Sequence, residues 1–457
     1  MEYKCDDDII NNKEKYGMVE TPTFFVERML DLVDKDLFES PEIRWLDTGA
    51  GCGIFSSCIS RRICDTNQID LVEVNESLRD NLEEKFGEKN VFIEDFLNFD
   101  NGKYDVIIGN PPYNRNGLKK VPTKNGIDKR DDGQTVWINF LYKSIEILKP
   151  GGTLCYVIPS IWMKNNHIVY KELIKYNLEY IIPYTSTESN KIFSGNCQTP
   201  TCILVMKKCV GNGIVNIYDK TVRRFISYDT MRCRHMPLVG VNMVTHMYNL
   251  CDKYGSMSRY VRKTNVISKK ITTHDVMDKV FKFPNIDTCL MNRSTPYLKL
   301  GYSNNPCPFF GEKKIVLSHK MYGFPYMDST GVYGISKRDN YVVSGLNDEQ
   351  GFRDVFDLFS SDIFFFLMNA TRYRMKYLEK YVFDFIPDVV EMKRLGVWDA
   401  TIFDRTRVVE MLGFDIDETG VNEGIDNIYE QYFVTKYSHF SFDAENDSNK
   451  IEKTKDP

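Results

Sequence analysis

The sequence predicts an α/β protein that begins with a doubly wound, mostly parallel sheet and continues into a mixed α+β region. Three observations carry this prediction. Apolar, strand-like runs alternate with helix-like stretches from residue 16 to about residue 208, as in a parallel sheet covered by helices. Alternating glycines follow the first strand, and acidic residues stand near the ends of the next two. Together these features predict a ligand site at the carboxyl edge of the sheet.

The first strand leads into a glycine turn. Residues 43–55 read Ile-Arg-Trp-Leu-Asp-Thr-Gly-Ala-Gly-Cys-Gly-Ile-Phe, so the strand ends at Asp47 and is followed by Gly49, Gly51 and Gly53. Glycine permits a close approach between backbone and ligand. An acidic strand end is unfavourable for phosphates but suits a cationic group, such as the amino-acid portion of S-adenosylmethionine. The Gly-x-Gly-x-x-Gly spacing typical of NAD sites is absent, which favours S-adenosylmethionine.

Two further strands each add an acidic residue. The second, Ile69–Asn75, places Glu73 near its end, where an acid typically accepts hydrogen bonds from a ribose diol. The third, Val91–Ile93, leads into Asp95 and Phe96. We expect Asp95 to accept from an adenine amino group and Phe96 to lie beside the adenine ring.

The fourth strand runs into the most informative segment of the chain. Residues 104–113 read Tyr-Asp-Val-Ile-Ile-Gly-Asn-Pro-Pro-Tyr. Pro111 and Pro112 stiffen the turn, because proline fixes φ and lacks an N–H. The turn carbonyls and the Asn110 amide can accept from a planar amino group, and the Tyr113 ring can stack on the base that carries it. Alone, this tetrapeptide is equally compatible with an ordinary strand-ending turn, but the motifs before it favour a methyltransferase.

In this order of motifs the chain resembles the gamma-class adenine-N6 DNA methyltransferases of bacterial restriction–modification systems. The resemblance extends from Tyr16 to about Lys208. Tyr16–Pro22 resembles the family's N-terminal cofactor motif, and Leu148–Pro159 resembles its turn and following core strand. Ile192–Gly195 resembles the segment whose aromatic side chain packs on the extruded base.

The resemblance implies a Rossmann-like, S-adenosylmethionine-dependent fold and a set of site residues, without a metal. The cofactor would be held by Thr21, Asp47, Gly49, Gly51, Glu73, Asp95 and Phe96. The target adenine would be held by Asn110, Pro111, Pro112, Tyr113 and Phe193. The family's N4-cytosine relatives usually carry serine before the two prolines, so asparagine at this position favours adenine.

We therefore expect site-specific transfer of a methyl group from S-adenosylmethionine to the N6 amino group of an adenine flipped out of double-stranded DNA. Attack would be direct, with positioning and electrostatics supplying the rate. A separate cognate restriction endonuclease is compatible with the resemblance. Three alternatives stay open: an RNA adenine methyltransferase, a protein glutamine-amide methyltransferase, and a catalytically inactive DNA-binding relative.

Composition restricts the other classes. The chain has 457 residues, of which 42% are hydrophobic, enough for two domains with their own cores. No apolar run reaches about eighteen residues, and the acidic N-terminus does not resemble a signal peptide, so we expect neither a membrane span nor secretion. Twelve cysteines without a Cys-x-x-Cys pair predict reduced thiols, no metal and a cytoplasmic location, or the nucleus of a eukaryotic host. We expect a monomer.

The net charge of −5 hides local basic runs. Between Asp252 and Lys282 lie eight lysines or arginines against three aspartates, and Arg115–Arg130 is also basic, whereas acidic residues gather after Asp388. Any single run is better explained as a solvated face, but the distribution suits DNA binding. We expect phosphate contacts from Arg259, Arg262, Lys263, Lys269 and Lys270.

The predicted organisation has four parts. They are an N-terminal arm at 1–15, a catalytic domain at 16–214, a target-recognition domain at 215–400, and an acidic helical region with a disordered tail at 401–457. Within the catalytic domain, Asn114–Gly133 predicts a basic loop that orders over DNA, with plain disorder as the alternative. Gln134–Leu148 predicts a helix with Trp137, Leu141 and Ile145 on one face. Near residue 387 the letters of a nuclease motif occur, but Pro387 more simply starts a helix.

Overall fold

The computed structural model describes residues 19–114, 135–265, 267–292, 295–319, 325–338, 340–346, 348–374, 378–398 and 405–414. The predicted N-terminal arm, nearly all of the basic loop, and the acidic tail from residue 415 lie outside these ranges. The chain divides into two compact units, Met1–Val241 with Thr371–Met375, and Asn242–Ala370 with Lys376–Pro457. No helix among the described residues combines the length and apolarity that crossing a bilayer requires.

The first unit is built on a nine-stranded sheet. Its strands in chain order are β1 (Trp45–Thr48), β2 (Ile69–Glu73), β3 (Val91–Ile93), β4 (Tyr104–Gly109), β5 (Leu148–Pro159), β6 (Tyr176–Tyr184), β7 (Thr201–Val210), β8 (Ile214–Asp219) and β9 (Arg224–Asp229). Their spatial order is β3-β2-β1-β4-β5-β7-β6-β8-β9. The first five are parallel, and β7 is antiparallel to both β5 and β6. The predicted α/β fold class is therefore confirmed, and residues 214–229, most of which we expected in the second domain, extend this sheet.

Helices cover this sheet. They are α1 (Thr23–Leu30), α2 (Asp36–Glu39), α3 (Ile54–Ile59), α4 (Arg79–Phe86), α5 (Trp137–Ile147), α6 (Ile168–Leu173) and α7 (Ser186–Ile192). Short 3-10 turns lie at Thr66–Gln68, Glu76–Leu78, Glu88–Asn90, Phe96–Asn98 and Ser160–Met163. The helix predicted at 134–148 is confirmed as α5, and its apolar face is buried at Trp137, Leu141 and Ile145.

Alternation along β4 shows that the sheet is covered on both faces. Val106 and Ile108 join the core cluster that contains Phe25 of α1 and Leu82 of α4. Ile107 lies between them and is also fully buried, although successive strand side chains point to opposite faces. A sheet buried on both faces needs apolar strands, which explains the uninterrupted apolar run at the end of β4.

The second unit contains two small sheets. Helix α8 (Val241–Tyr254) precedes strands β10 (Val261–Lys263), β11 (Thr273–His274), β12 (Phe283–Asn292), β13 (Thr295–Ser303), β14 (Lys314–Ser318), β15 (Tyr326–Asp328), β16 (Gly334–Ile335) and β17 (Asn340–Val343). One sheet has the order β10-β17-β14-β15 and the other β11-β13-β12-β16. The helices α9 (Glu349–Ser360), α10 (Asp362–Ala370), α11 (Val389–Arg394) and α12 (Arg405–Leu412) follow, with 3-10 turns at Met257–Arg259 and Lys380–Phe385. This mixture of strands and helices confirms the predicted α+β character.

The nuclease-like letters near residue 387 lie at a helix start, although Pro387 precedes the cap Asp388 and is not in the first turn as predicted. The Asp388 side chain accepts from the amides of Val390 and Glu391 at 3.1 and 3.0 Å and so caps α11. Asp388 is fully buried and forms an ion pair with Arg259. One residue of the predicted phosphate-binding run is therefore already engaged with a carboxylate.

Candidate active site

The glycine turn begins where β1 ends, and its backbone conformation excludes other residues at several positions. Gly49, Gly51 and Gly53 have left-handed φ angles of +69°, +56° and +76°, a conformation that other residues rarely adopt. A Cβ on Gly53 would lie 2.7 Å from Cε2 of Phe86, so the residue that starts α3 has no room for a side chain. The amide of Gly49 donates to the carbonyl of Val72 at 2.9 Å, which fixes the turn against β2.

Asp47 is fully buried at the end of β1, and only one of its carboxyl oxygens has a hydrogen-bond partner among the described residues. Its Oδ2 accepts from the Ser56 amide at 3.2 Å and from the Ser56 hydroxyl at 2.7 Å. Its Oδ1 is buried without a partner. Burial, reinforced by the charge of Glu73, raises the pKa of Asp47 to about 7.

This arrangement fits the cationic end of S-adenosylmethionine. A buried acceptor without a donor is costly, and a charged donor beside it would both satisfy the oxygen and stabilise the carboxylate. The ammonium group of an amino acid is such a donor. Asp47 and the glycine turn are therefore suited to hold the amino-acid portion of the cofactor.

Glu73 stands at the end of β2 and holds the glycine turn. Its Oε2 accepts from the Gly51 amide at 2.7 Å, and its Oε1 accepts from the amides of Val74 and Asn75 at 2.9 Å each. Burial raises the pKa of Glu73 despite these backbone bonds. A carboxylate has about four lone-pair directions, so Glu73 retains capacity for a ribose hydroxyl. Its bond to the glycine turn could not be predicted from spacing alone.

Asp95 and Phe96, which follow β3, were expected to contact the adenine of the cofactor, but Phe96 is buried. Asp95 is half-buried and accepts from the Leu97 amide at 3.1 Å, which starts a 3-10 turn. That turn directs Phe96 inward, where its ring is 2% exposed and lies 5.0 Å from the ring of Phe140. Phe96 therefore has almost no free surface to offer an adenine ring in this structure. Its role as a cofactor contact stays a prediction that would require the ring to move.

The glycine turn and the Asn-Pro-Pro-Tyr turn leave the sheet side by side. Strands β1 and β4 are parallel neighbours, with Asp47 opposite Ile108, so both chains leave the same edge within two residues of this pair. Asn110 is half-buried there, and its Nδ2 donates to the hydroxyl of Thr21 at 3.0 Å. The structure thus brings the predicted cofactor turn, the predicted amine acceptor and Thr21 to one edge.

Tyr113 packs its ring against the core of the first unit. Its hydroxyl is buried and has no hydrogen-bond partner among the described residues. Burial raises the pKa of Tyr113 well above its usual value, with further contributions from Cys197 and Cys202. Pro111 is buried and Pro112 is half-buried, so packing of the prolines fixes the turn. Asn110 is only half-buried and remains partly accessible.

Phe193 occupies a different environment from the one expected. We predicted that its ring packs on the extruded base, but it is 2% exposed and lies in the core, 5.6 Å from the ring of Phe25. Its contact with Phe25 of α1 places the ring in this core. Stacking on a base would require Phe193 to leave this position, so that role also stays a prediction.

A buried chain of hydroxyls beneath the site carries no sequence signal. The Tyr156 hydroxyl of β5 lies 2.6 Å from the Thr48 hydroxyl of β1 and 2.5 Å from that of Ser144 in α5. Thr48 lies 108 positions from Tyr156 in the chain, and no local pattern in the sequence pairs the three hydroxyls. This chain of hydrogen bonds connects the strands on either side of β4 and so supports the strand that carries Asn110.

Cysteine pairing corrects one expectation. We expected all cysteines to be reduced, and ten of those described are free thiols. Cys52, within the glycine turn, is disulfide-bonded. Among the described residues no group of histidine, cysteine or carboxylate side chains is arranged to hold a metal ion.

Comparison with known proteins extends this picture. Residues 53–193 match the model of the Eco57I restriction-modification methylase family. The chain is 31% identical over 206 residues to the modification methylase CviBIII of Paramecium bursaria Chlorella virus NC1A, covering 44% of this chain and 52% of that one. It is 32% identical over 189 residues to the type II methyltransferase M.AccI of Acinetobacter calcoaceticus, covering 38% and 33%. These matches confirm the predicted resemblance to the methylases of restriction–modification systems.

A third relative is named for a tRNA substrate. The chain is 30% identical over 122 residues to the tRNA1(Val) (adenine(37)-N6)-methyltransferase of Tolumonas auensis, covering 25% of this chain and 51% of that one. The chain spans about half the length of the first relative and a third of the second.

Proposed function

We propose that this chain transfers a methyl group from S-adenosylmethionine to the N6 amino group of an adenine in double-stranded DNA, at a specific sequence. The observation that carries the proposal is the placement of Asn110 next to the glycine turn, at the shared edge of β1 and β4. A methyl donor and a planar amine must meet at one place, and this edge offers a site for each.

The cofactor would supply a methyl group activated by its bond to a positively charged sulfur. Asp47 and the glycine turn would hold its amino-acid end, and Glu73 its ribose. The side-chain carbonyl of Asn110 and the main-chain carbonyl of Pro111 would accept hydrogen bonds from the two N–H bonds of the target amine. The lone pair of the amine nitrogen would attack the methyl carbon, the electrons of the carbon–sulfur bond would stay on sulfur as a neutral thioether, and the nitrogen would then lose one proton to solvent.

The contribution of the protein lies mainly in electrostatic stabilisation of the amine. Its nitrogen gains positive charge during attack, and carbonyl oxygens already in place stabilise that charge without reorganisation. The target adenine must leave the DNA stack to reach the edge of the sheet, at a cost of a few kcal/mol. The aromatic ring nearest to Asn110 in the sequence is that of Tyr113. It would offset part of this cost by stacking on the flipped adenine.

The decisive experiment on the mechanism is Asn110→Ala. We expect methyl transfer to fall at least about 100-fold, comparable to the loss of one oxyanion-hole donor, with S-adenosylmethionine affinity by calorimetry within about threefold of wild type. Asn98→Ala, at an exposed asparagine of the same unit, is the matched control. Wild-type turnover in the Asn110 variant would overturn the mechanism.

The acceptor is tested separately. DNA from a host expressing the chain should carry N6-methyladenine at one sequence context, detected by sequencing that reports modified bases. RNA is the second candidate, favoured by the similarity to the tRNA methyltransferase, which covers 25% of this chain. If adenine is modified in host RNA and not in host DNA, the proposed methyl acceptor changes from DNA to RNA. A cognate restriction endonuclease remains a further proposed partner.

A further inference from the structure

Thr21 was expected to contact the cofactor, but its hydroxyl is bonded to the amide of Asn110. We propose that Thr21 is a positioning residue that orients the Asn110 side chain for catalysis, an inference that rests on the proposed function. By accepting a hydrogen bond from Nδ2 at 3.0 Å, the hydroxyl turns Oδ1 of Asn110 to the opposite side of the amide, where an acceptor is needed.

An asparagine needs such a partner to serve as an acceptor. Its side-chain amide presents an acceptor oxygen on one side and two N–H donors on the other. The last torsion of the side chain is soft and roughly two-fold, so rotation exchanges the two ends. N–H donors facing the target amine would oppose the developing positive charge. In the structure the Thr21 hydroxyl accepts from the nitrogen end, and this hydrogen bond holds the productive orientation.

Thr21 is suited to this task because the core holds it still. It is 4% exposed and directly precedes Pro22, the N-cap of α1. The carbonyl of Pro22 accepts from the amides of Phe25 and Val26 at 2.9 and 3.2 Å, and both side chains are buried. Its branched Cβ further restricts the hydroxyl. The position of the hydroxyl is therefore set by the anchoring of α1 in the core.

Asn110, the other partner in this hydrogen bond, is fixed by β4. Asn110 follows Gly109, whose backbone packs so closely on β1 that an added Cβ would lie 2.7 Å from Oγ1 of Thr48. The hydrogen bond between Thr21 and Asn110 joins residues separated by 89 positions in the chain. Two rigid elements thus define one side-chain orientation.

The test compares Thr21→Val, Thr21→Ser and the control Thr23→Val. Valine keeps the shape but removes the hydroxyl, so kcat should fall about 10- to 100-fold, while S-adenosylmethionine affinity by calorimetry stays within about threefold. Serine keeps the hydroxyl and should restore kcat to within about threefold of wild type. Thr23 is exposed two residues further on, and its valine variant should leave both measurements unchanged.

A double-mutant cycle with Asn110→Ser distinguishes positioning from cofactor binding. Serine at 110 is too short to reach Thr21 but leaves an acceptor for a residual rate. If Thr21 acts through Asn110, T21V has no further effect on kcat in the N110S background. Multiplied effects, or a T21V variant that loses cofactor affinity and keeps kcat, would overturn the proposal.

The proposed function can fail without this inference failing. If the wild-type chain methylates RNA and not DNA, the acceptor changes and the same cycle is measured on RNA. If wild-type protein methylates neither acceptor, both proposals are overturned. If it methylates DNA and T21V has wild-type kcat, the positioning role alone is overturned.

Discussion

At the scale of single residues, the Tyr113 hydroxyl is an unsatisfied buried polar group in the candidate site. It is buried without a partner among the described residues, and such a group costs about 1–3 kcal/mol. We expect Tyr113→Phe to raise the free energy of unfolding by about 1 kcal/mol, measured by urea denaturation, and to retain ring stacking and most methyl transfer.

Tyr156→Phe is the matched control for this prediction. It makes the same chemical change at a hydroxyl that is hydrogen-bonded to Thr48 and Ser144. Removing that hydroxyl leaves its partners unsatisfied, so the free energy of unfolding should fall by about 1–3 kcal/mol. Equal effects of the two substitutions would show that the Tyr113 hydroxyl is as well satisfied as that of Tyr156.

Asp47 provides a second residue-scale prediction, through its raised pKa. At pH 6, below its pKa of about 7, the buried carboxyl is mostly protonated in the free protein. A cation beside it lowers that pKa, so S-adenosylmethionine binding should release a proton. Calorimetric binding enthalpies at pH 6 should then depend on the ionisation enthalpy of the buffer. Asp47→Asn should remove this dependence, and buffer-independent wild-type enthalpies would contradict it.

The same shift affects stability with a definite sign. The folded pKa of about 7 lies above the ordinary value of 3.8, so the folded state binds the proton more tightly than the unfolded state. The contribution of Asp47 to stability is therefore complete below about pH 4 and is lost as pH rises towards about 7. In the ligand-free protein, Asp47→Asn should flatten this part of the stability profile.

Sequence motifs predicted the candidate site residues but not their hydrogen-bond partners. The order of strand, glycine turn and strand-end acid fixed which edge of the sheet carries Asp47, because parallel strands end together. Nothing local in the sequence connects Thr21 to Asn110. The burial of Phe96 and Phe193 was also invisible, since an aromatic residue follows the same pattern whether it packs in the core or on a ligand.

At the scale of elements, the turn between β11 and β12 is the best candidate for DNA contact in the second unit. Val276, Met277 and Val280 are 64%, 60% and 59% exposed there. The turn is ordered, because the Asp278 carboxylate accepts from the amides of Val280 and Phe281 at 2.7 and 2.6 Å. Exposed apolar groups on a fixed turn suit contact with base edges, such as thymine methyl groups.

Four lysines lie close to this turn in the sequence, which gives an element-scale prediction. Lys269, Lys270, Lys279 and Lys282 are all exposed. Replacing them by glutamine should make log affinity for duplex DNA less steep against log salt, by about 0.9 per lost phosphate contact. Arg259→Gln is the control, because Arg259 is paired with Asp388 and should leave the slope unchanged. A wild-type slope in the lysine variant would place the DNA surface elsewhere.

Elements were predictable where one local signal dominated. The face formed by Trp137, Leu141 and Ile145 predicted α5 because helical periodicity and burial agree there. The basic run was visible as composition, but the ion pair of Arg259 depends on Asp388, far along the chain. Long-range electrostatic pairing of this kind has no periodic pattern.

At the scale of the whole molecule, each unit has its own core, and we expect each to unfold as its own cooperative transition. S-adenosylmethionine should raise the midpoint of one transition only, since its predicted ligands all lie in the first unit. Scanning calorimetry with and without the cofactor would check this. A single transition that shifts as a whole would contradict it.

The buried ion pair of the second unit identifies the other transition. Lys314 and Asp328 are 0% and 1% exposed, and Nζ lies 2.5 Å from Oδ2. Lys314→Met leaves a buried carboxylate unpaired, which typically costs about 3–5 kcal/mol. It should lower the transition that the cofactor does not shift, with cofactor affinity unchanged. Replacing both residues, by Lys314→Met and Asp328→Leu, should recover part of the loss.

Gly109 gives the molecule an evolutionary constraint that no motif letter expresses. Every possible replacement adds a Cβ, and that atom would meet Oγ1 and the carbonyl oxygen of Thr48 at 2.7 and 2.9 Å. The strand would have to shift away from β1 and carry Asn110 with it. A lineage that loses this glycine would therefore displace the proposed amine acceptor even where all the other quoted motif residues were kept.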